Sequence, residues 1–565
     1  MTNTLYFGDN LDVLRRYVPD ESVDLVYLDP PFNSNADYNV LFAARDDTDS
    51  AAQIEAFTDT WRWDRAAAEA FDNVVCGDDD GVCDLPTSRT LQGFRAMIGE
   101  CDLLAYLAFM APRLLQLRRV LRDTGSVYLH CDPTAAHYLK VLMDAVFGPE
   151  HFRSEVIWQR TGSHNNAKRW APVHDTILFY SKGDRYTWNK VYQPLPQETI
   201  DAWYNNVEEG TGRRYNRADL TGAGTREGPS GEPWRGIDPT AAGRHWAIPR
   251  FVGDLVAGLS THDALDALDA AGRIHWPQKE GGKPMLKRYV EEARGIPALD
   301  VVTDVGPLKN SSAERLGYPT QKPEALLDRI IEASSRPGDV VLDPFCGCGT
   351  AVASAQKLGR GWIGIDVTHL AVGLIRQRLL DQYGEAADFQ VVGEPTSAAG
   401  AARLAELDRF QFQAWALGLV GARTAASSKK GADRGVDGRL FFRDDGRGTK
   451  RGKTRQVLFS VKSGKNVSVA DVRDLRGAVE REGADLGVLL TLTDPTKPMR
   501  QEAASAGFYE SPTWNKRYPK LQILTVADAL DGRGVEMPPV RHTNETYRQA
   551  PRATAKAAAQ GSLGL

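Results

Sequence analysis

Short hydrophobic runs alternate with a helical pattern at the start of the chain. The segment LYFGD predicts a strand that stops at Gly8-Asp9, and NLDVLRRYV has the spacing of an amphipathic helix. VDLVYLD (23–29) is almost continuously apolar, which is typical of a strand buried on both faces of a parallel sheet. The following DPPFNSNADYN predicts a loop, because two prolines cannot continue a central strand. The chain therefore opens as strand, helix and strand.

Helical and strand patterns continue beyond this unit. Positions 51–123 are predicted to be mostly helical, and GSVYLHCD predicts a strand that is followed by the helix AAHYLKVLMDAVFG. EVIWQR and TILFYSK predict two further strands. Further along, PEALLDRIIEAS predicts a helix, and DVVLDPF, AVASAQKLG and GWIGIDV together predict one complete β-α-β unit. These patterns indicate the α/β class.

The sequence pattern changes between about 187 and 300, where Gly, Pro and polar residues dominate and neither a helical nor a strand period is visible. Seven of the twelve Trp lie between Trp158 and Trp276, which favours an ordered insertion over a disordered linker. A second change, near GEPTSAAGAARLAE, precedes a separate α/β pattern. We predict a first domain at 1–186 and 301–390, an insertion at 187–300, a linker at 391–402, a second domain at 403–535, and a disordered tail at 541–565.

Composition narrows the class of protein. The chain has 565 residues, 42% hydrophobic and 25% charged, and no run approaches the roughly 20 apolar residues of a membrane span. The N-terminus lacks the basic and apolar regions of a secretory signal. Six cysteines do not form a disulfide framework, and Cys346 and Cys348 lack the second pair that a zinc site needs. We expect a reduced, cytoplasmic protein with no membrane contact and no bound metal.

The net charge of −5 excludes a protein coated in positive charge, but a nucleic-acid footprint can be local. Between positions 421 and 470 there are 13 Lys and Arg against 4 Asp and Glu. This excess gives the second predicted domain a basic segment that could bind DNA.

The motif DPFCGCGT, Asp343–Thr350, lies between a predicted strand and helix. Gly347 and Gly349 permit a tight turn and a close approach of backbone to a ligand, where doubly wound folds bind nucleotides. Asp366 ends the next strand, where an acid can accept hydrogen bonds from ribose hydroxyls. Val352 occupies the third glycine position of the dinucleotide fingerprint, which disfavours a nicotinamide dehydrogenase. A structural turn without a ligand is the alternative.

The motif DPPF, Asp29–Phe32, also follows a buried strand and should therefore lie at the same edge of the sheet. A carboxylate, a carbonyl presented by a rigid Pro-Pro and an aromatic ring suit a planar substrate with an exocyclic amino group. Asp29 and the Pro30 carbonyl can accept the two amino hydrogens, and the Phe32 ring can stack on the base. For an isolated DPP tripeptide, a plain turn at the end of a strand would be the preferred explanation.

Together, FGDN, DPPF, TQKP, DPFCGCGT and GIDV, in this order, resemble the β-class of amino-methylating DNA methyltransferases. The resemblance covers about 1–385 and implies a Rossmann-like, circularly permuted fold that uses S-adenosylmethionine as cofactor. It makes the insertion at 187–300 an irregular target-recognition region and double-stranded DNA the partner. It further suggests a homodimer and a cognate restriction endonuclease.

The resemblance also assigns residues. Asp366 would hold the ribose of the cofactor, FGDN the adenine ring and TQKP the methionine end. The expected cofactor contacts are Asp9, Asn10, Thr320, Gln321, Lys322, Pro323, Asp343, Phe345, Gly347, Gly349, Thr350 and Asp366. The flipped target base would be held by Asp29, Pro30, Pro31 and Phe32.

Within this family an Asp at the first position of the target motif is commoner with N6-adenine and a Ser with N4-cytosine. Asp29 therefore favours an adenine-N6 methyltransferase, with N4-cytosine as the alternative. Phe32 replaces the usual Tyr, which keeps the stacking ring and loses a hydroxyl. Hydrogen bonds to the amine would free its lone pair for direct attack on the methyl group, so neither a covalent intermediate nor a metal is required. RNA or protein methylation, and a cofactor-sensing DNA-binding protein, are less favoured alternatives.

The insertion supplies candidates for contact with DNA. Trp234, Trp246 and Trp276 are expected to pack it, since a Gly-rich segment needs anchors, although a wedge into DNA is the alternative. Its basic side chains are candidates for contacts with phosphate and guanine, and they are Arg213, Arg214, Arg217, Arg226, Arg235 and Arg244.

GADRGVDGRLFF and RQVLFSVKSGK place Asp437 and Lys462 on two successive predicted strands, and the predicted helix VADVRDLRGAV and strand LGVLLTLT follow. This segment, from about 405 to 530, resembles the PD-(D/E)xK fold, especially the branch found in restriction endonucleases that cut modified DNA. The resemblance makes Asp437 a metal-binding acid and Lys462 the residue that positions water. Ser460 stands where a second acid or a Gln is usual, and a hydroxyl is a poorer ligand for a hard metal. Glu406 is an alternative second carboxylate. We favour a DNA-recognition module that has lost cleavage over an active nuclease, in a combined restriction-modification enzyme, or a structural domain.

Overall fold

A nine-stranded, largely parallel sheet organises most of the chain before residue 393. The computed structural model describes residues 2–31, 61–77, 84–162, 168, 170–278, 282–309, 311–318, 320–424, 436–444, 454–464, 466–539 and 550–552. Phe32 and the rest of the predicted loop after Pro31 lie outside the described residues, as do 541–549 and 553–565 of the predicted tail. The described residues divide into two compact units, Met1–Asn189 with Leu299–Leu565, and Lys190–Ala298.

In chain order the strands are β1 Thr4–Phe7, β2 Val23–Leu28, β3 Leu121–Cys131, β4 Phe152–Gln159, β5 His174–Ser181, β6 Tyr192–Gln193, β7 Asn206–Val207, β8 Arg214–Asp219, β9 Thr221–Ala223, β10 Arg244–Trp246, β11 Ile274–His275, β12 Met285–Tyr289, β13 Ile296–Pro297, β14 Val301–Val302, β15 Val340–Asp343, β16 Gly361–Asp366, β17 Gln390–Val392, β18 Arg423–Thr424, β19 Gly438–Arg443, β20 Thr454–Lys462, β21 Leu486–Thr491, β22 Phe508–Glu510, β23 Arg517–Pro519 and β24 Leu521–Thr525.

The α-helices are α1 Asn10–Tyr17, α2 Arg65–Cys76, α3 Leu85–Ile98, α4 Asp102–Val120, α5 Ala136–Phe147, α6 Gln197–Trp203, α7 Gly253–Val256, α8 Thr261–Ala270, α9 Glu324–Ser334, α10 Thr350–Lys357, α11 His369–Tyr383, α12 Ala398–Leu407, α13 Arg409–Leu419, α14 Val469–Arg481, α15 Lys497–Ser505 and α16 Val526–Leu530. In the part of the chain that is described, no helix is long and apolar enough to cross a membrane.

The large sheet has the strand order β14-β4-β5-β3-β2-β15-β16-β1-β17. Its central strands are almost continuously apolar because helices cover both faces. On one face Val26 and Leu342 join a core with helices α3, α4 and α5. On the other face Leu25 and Val341 join a core with α9, α10 and α11. The α/β, Rossmann-like fold class predicted from the sequence is confirmed.

The unit Lys190–Ala298 contains more regular secondary structure than the sequence pattern predicted. Strands β11-β12-β8-β7 form an antiparallel sheet, with two-stranded pairs β10-β9 and β13-β6. Strands of two to six residues are too short to show an alternating pattern, and Gly-rich turns interrupt them. Trp234 and Trp246 are buried in the core of this unit, so packing is their role rather than a wedge into DNA. Trp276 stacks on Trp234 and stays partly exposed.

The C-terminal part contains the five-stranded sheet β18-β19-β20-β21-β24. The predicted linker at 391–402 is shorter than expected, because Val391 and Val392 pair with β1 and Ser397 caps helix α12. Alanine-rich sequence favours the helix, so little more than 393–397 connects the two sheets. Within the predicted disordered tail Ala550 is buried, and its N–H donates to Asp381 Oδ2 at 3.3 Å.

Candidate active site

Four acidic side chains lie where neighbouring parallel strands end. Strands β2, β15, β16 and β1 are adjacent and parallel, so their carboxyl ends meet at one edge of the sheet. Asp29 follows β2, Asp343 ends β15, Asp366 ends β16, and Asp9 follows β1 after a single glycine. We call this edge the rim. The fold thus brings together residues that are more than 300 positions apart in the sequence.

The glycine-rich turn at the rim cannot accept larger side chains. Gly347 has φ +49°, and an added Cβ would lie 3.2 Å from the Tyr318 ring. Gly349 has φ +72°, and its added Cβ would lie only 2.7 Å from Ile375. Thr350 begins helix α10 directly after the turn. Gly349 is therefore required by this contact as well as by its backbone angle, and Gly347 chiefly by its backbone angle.

The glycine-rich turn is hydrogen-bonded to the two neighbouring acids, Asp343 and Asp366. Asp343 Oδ1 accepts a hydrogen bond from the Phe345 N–H at 3.0 Å, and Asp366 Oδ2 accepts one from the Gly347 N–H at 2.9 Å. Asp366 Oδ1 accepts two more from the N–H and the hydroxyl of Thr368, each at 2.9 Å. These contacts fix both carboxyl groups facing the turn.

The rim is electrostatically strained. Burial raises the pKa of Asp343 well above its usual range, and the charges of Asp29 and Asp366 add to the effect. Burial also raises the pKa of Asp366 to about 6, although the Thr368 and Gly347 hydrogen bonds act in the opposite direction. A ligand with a positive charge and hydroxyl donors would relieve this strain. The charged and ribose-bearing cofactor implied by the sequence resemblance fits that requirement.

Asn10 of the FGDN motif bonds directly to the turn, and an arginine holds the two polar residues of that motif. Asn10 Nδ2 donates to the Pro344 carbonyl at 2.8 Å, and Asp9 accepts hydrogen bonds from the first turn of α1. Arg113, on the largely apolar helix α4, donates to Asn10 Oδ1 at 2.6 Å and to Asp9 Oδ2 at 2.7 Å. Burial lowers the pKa of Arg113 to about 10. The sequence analysis missed this residue, although an Arg within LLAYLAFMAPRLLQ is an available signal.

The target-base motif is paired with a residue expected to serve the cofactor. Lys322 Nζ forms an ion pair with Asp29 Oδ2, and only 11% of the Lys322 side chain and 17% of the Asp29 side chain are exposed. Pro30 is buried and Pro31 is partly exposed. The ion pair links TQKP to DPPF, a connection that the order of motifs in the sequence does not reveal.

The other residues of TQKP shape the loop before α9. Gln321 Oε1 accepts from the Leu316 N–H at 2.7 Å, and its amide donates to the Glu314 carbonyl at 2.6 Å. Thr320 is partly exposed, and the buried Pro323 immediately precedes α9. This loop therefore holds Lys322 over the rim.

Most of the predicted DNA-contacting arginines are engaged within the insertion. Arg217 and Arg226 make no ion pair with a described residue, and Arg217 lies opposite Lys287 in the antiparallel sheet. The other four form ion pairs within the insertion: Arg213 with Glu291, Arg214 with Asp201, Arg235 with Asp269, and Arg244 with Asp219. Four of the six predicted DNA-contacting arginines therefore have acidic partners inside the insertion, whereas Arg217 and Arg226 have no ion pair with a described residue.

The nuclease-like residues of the C-terminal part lie close together. Asp437 Oδ2 accepts from the Val461 N–H at 2.7 Å and from the Ser460 hydroxyl at 3.3 Å. Lys462 forms an ion pair with Asp471 at 3.3 Å. Glu406 is exposed on α12. Among the described residues no group of three or more His, Cys, Asp or Glu side chains could hold a metal ion.

Two family models match the chain. One described as DNA methylase matches residues 23–376, and one described as restriction endonuclease matches residues 404–509. Both resemblances drawn from the sequence are confirmed by these matches.

Relatives of known type match parts of the chain. The type II methyltransferase M.EcaI of Enterobacter cloacae is 34% identical over 275 residues, which are 48% of this chain and 57% of that protein. The Mod subunit of the type III restriction-modification enzyme StyLTI of Salmonella typhimurium is 27% identical over 369 residues, 63% of this chain and 50% of the subunit. The match thus spans about half the length of each relative. The solved M1.HpyAVI–SAM complex is 13% identical, covering 66% of this chain and 98% of its own, with a TM-score of 0.29.

Proposed function

Because the chain belongs to the DNA methylase family, we propose that it transfers a methyl group from S-adenosylmethionine to N6 of an adenine flipped out of duplex DNA. One observation carries this proposal. The acid of the target-base motif, Asp29, lies at the same rim as Asp343 and Asp366, on the strand next to β15. A methyl donor held at one part of the rim would therefore face an amine held at the other.

The cofactor half of the site is built from the turn and the acids around it. The ribose hydroxyls would donate to Asp366, whose Oδ2 already accepts from Gly347 of the turn and whose Oδ1 accepts from Thr368. The narrow turn at Gly347 and Gly349 would let backbone N–H groups approach the ligand closely. Asp9 and Asn10 would border the adenine ring, with Arg113 fixing both side chains. When bound, S-adenosylmethionine supplies an electrophilic methyl group on a positively charged sulfur.

The target half of the site activates the amine. Asp29 and the Pro30 carbonyl would accept the two amino hydrogens, so the nitrogen lone pair is withdrawn from the ring and points at the methyl group. Phe32 would stack on the base, a contact typically worth about 1–3 kcal/mol. Lys322 orients the Asp29 carboxylate through their ion pair. Rate acceleration then comes from positioning and electrostatics.

Adenine is the favoured base because Asp29 stands where Ser is commoner among enzymes that modify N4 of cytosine. The experiment is nucleoside mass spectrometry of unmethylated duplex DNA incubated with the protein and methyl-labelled S-adenosylmethionine. We expect label in N6-methyladenine. Label in N4-methylcytosine would keep the mechanism and change the base, and no label in DNA of diverse sequence would overturn the proposal.

For the C-terminal domain we propose DNA recognition without cleavage. Its candidate metal-binding acid Asp437 already accepts hydrogen bonds from Val461 and Ser460, and Lys462 is paired with Asp471. The competing function is that of an active nuclease, which the match to a restriction endonuclease model favours. Incubation of unmethylated DNA with Mg²⁺ should give no cleavage beyond that of the Lys462→Ala variant. Cleavage that disappears in Lys462→Ala would establish a combined restriction-modification enzyme.

Two partners follow from the proposal beyond DNA itself. A homodimer is expected from the family resemblance and is tested by sedimentation of the protein with and without DNA. A separate cognate restriction endonuclease is expected if the C-terminal domain does not cleave. Its cleavage should be blocked on DNA that this protein has methylated.

A further inference from the structure

The C-terminal domain contacts the loop that follows the acid at the end of β16. Only Val367 and Thr368 separate Asp366 from helix α11, which begins at His369. We call these two residues the β16–α11 loop. Helix α13, near the start of the C-terminal domain, packs against α11, and both helices belong to one compact unit of the chain. This packing brings the C-terminal domain next to a predicted cofactor acid.

Gln411 of α13 is hydrogen-bonded to both sides of this loop. Its Oε1 accepts from the His369 N–H at 3.1 Å, and its Nε2 donates to the Val367 carbonyl at 3.4 Å. The His369 N–H is one of the first-turn donors that a helix cannot satisfy by itself. The Thr368 hydroxyl accepts from a second such donor, the Ala371 N–H. The C-terminal domain thus supplies part of the cap of α11.

The same loop holds the Asp366 carboxylate. The N–H and the hydroxyl of Thr368 both donate to Asp366 Oδ1 at 2.9 Å. Gln411 bonds to the residues on either side of Thr368. Because a displaced loop would carry the Thr368 donors away from the carboxylate, Gln411 acts on the orientation of Asp366 through the backbone of the loop.

The segment that leads into the C-terminal domain is held at the same place. A Cβ added to Gly393, directly after β17, would lie 2.2 Å from the Phe7 carbonyl oxygen, so the segment passes close against β1. Glu394 lies 3.4 Å from His369 Nδ1 and pairs with Arg376 of α11. The His369 ring stacks on Phe7, with ring centroids 3.6 Å apart. The connection is therefore fixed to β1 and α11 before the C-terminal domain begins.

Helix α13 also contacts the nuclease-like sheet. Gln413 lies two residues after Gln411, and its Nε2 donates to the Asp437 carbonyl at 3.4 Å. Phe412 and Trp415 are buried in the core on one face of that sheet. One helix therefore contacts both the loop after the cofactor acid and the backbone of the candidate nuclease acid.

We propose, on the basis of the cofactor site proposed above, that Gln411 is a positioning residue for S-adenosylmethionine. It keeps the loop after Asp366 ordered, so that less of the binding free energy is used to order the loop when the ribose hydroxyls bind. The coupling is reciprocal, since a cofactor that stabilises the loop also stabilises its contact with α13. Occupancy of the methylase site is thereby transmitted to the nuclease-like domain.

The first test measures the affinity of the full-length protein for S-adenosylmethionine by calorimetry. Gln411→Met removes both hydrogen bonds and keeps the length and helix propensity of the side chain. Gln413→Met is the matched control, because Gln413 is also partly exposed on α13 but bonds to Asp437 instead of the loop. Thermal unfolding without cofactor checks that each variant is folded.

In Gln411→Met the Kd for S-adenosylmethionine should rise about three- to tenfold, the range for losing a neutral hydrogen bond. The single-turnover rate of methyl transfer at saturating cofactor should stay near that of the wild type, because Gln411 acts on cofactor binding and not on the methyl group. Gln413→Met should keep the wild-type Kd. An unchanged Kd in Gln411→Met, or an equal rise in Gln413→Met, would overturn the proposal.

Hydrogen exchange followed by mass spectrometry tests the coupling in the wild-type protein as well. S-adenosylmethionine should slow exchange in α13 and leave exchange in α14 unchanged, since α14 packs on the opposite face of the C-terminal sheet. Gln411→Met should lose the slowing in α13. Equal exchange of wild-type α13 with and without cofactor would overturn the proposal. A wild-type protein that transfers no methyl group to DNA would instead overturn the proposed function, because neither measurement here depends on the methyl acceptor.

Discussion

The acidic residues at the methylase rim and the acid of the nuclease-like sheet differ in what surrounds them. At the rim, burial raises the pKa of both Asp343 and Asp366, and the charges of Asp29 and Asp366 raise that of Asp343 further, although Asp366 accepts three hydrogen bonds from Gly347 and Thr368. In the C-terminal sheet, Asp437 accepts from a backbone N–H and from the Ser460 hydroxyl. Unrelieved strain among buried carboxyl groups indicates a place prepared for a ligand.

The same contrast separates the two lysines. Lys322 is largely buried and pairs with the acid of the target-base motif, whereas Lys462 is 38% exposed and pairs with Asp471 of a helix N-terminus. In the first case the ion pair joins two motifs across the rim. In the second case it supports the capping arrangement at Ser468, where Asp471 also accepts the Ser468 N–H at 2.9 Å. The different partners of the two lysines support the proposals of a methylation site at the rim and a C-terminal domain that does not cleave DNA.

The largest effect is expected from the removal of Asp29, the acid of the target-base motif. Asp29→Ala should lower methyl transfer by at least about 10²–10³-fold, because a preorganised group facing developing charge is lost. Asp29→Asn keeps one accepting oxygen and should retain more activity than Asp29→Ala. The measurement is the single-turnover rate of label transfer to duplex DNA. If the single-turnover rate of Asp29→Ala lay within tenfold of the wild-type rate, Asp29 would have no role in the reaction.

The glycine turn offers a matched pair of substitutions. Gly349 and Gly359 both have φ +72°, but only at Gly349 would a Cβ meet another side chain, at 2.7 Å from Ile375. Both Gly→Ala variants should lose roughly 1–2 kcal/mol for the left-handed backbone, and Gly349→Ala should lose more from the clash. Affinity for S-adenosylmethionine should fall about tenfold or more in Gly349→Ala alone. Denaturant unfolding and calorimetry measure the two effects, and equal losses of cofactor affinity would contradict the assignment.

The pH dependence of cofactor binding tests the strain at the rim. With the pKa of Asp366 raised to about 6, the carboxylate that accepts the ribose hydroxyls is protonated as the pH falls below that value. The Kd for S-adenosylmethionine should therefore rise roughly tenfold between pH 7 and pH 5, since one pH unit is a factor of ten in the ionised fraction. Asp366→Asn should bind more weakly at pH 7 and lack this step. If the Kd of Asp366→Asn rose by the same factor between pH 7 and pH 5, the titrating group would be another residue and not Asp366.

The smallest effect is expected in the C-terminal sheet. Lys462→Ala should change methyl transfer by less than about twofold, because Lys462 contacts neither the rim nor its acids in this structure and surface ion pairs contribute little. Gel analysis of unmethylated DNA with Mg²⁺ checks the same variant for cleavage. Cleavage by the wild type that Lys462→Ala abolishes would reverse the comparison and make both sites catalytic.

Much of the rim could be predicted from sequence, because each motif lies at the junction of an apolar run and a turn. VDLVYLD-PPF and VVLD-PF show this clearly, and parallel topology then places the two junctions side by side. The glycines of the turn are equally visible, since their backbone angles restrict the residue type.

Long-range side-chain partners could not be predicted in this way. Arg113 reaches Asn10 across 103 positions, and Lys322 reaches Asp29 across 293, and neither pairing leaves a periodic signal. The ion pairs of Arg214 and Arg244 depend on short strands hidden in a Gly-rich insertion. The hydrogen bonds that His130 makes with Tyr27 and with Asp175 were not predicted for the same reason, because each of the three looks like an ordinary residue of a buried strand.

The most direct test of the account is the affinity of S-adenosylmethionine for Asp29→Ala and Asp366→Ala, measured by calorimetry on the same day at pH 7. If the rim divides into a target half and a cofactor half, Asp29→Ala should bind within about threefold of the wild type, whereas Asp366→Ala should lose at least about tenfold, the equivalent of one strong hydrogen bond to a charged group. Equal losses in both variants, or a larger loss in Asp29→Ala, would contradict that division.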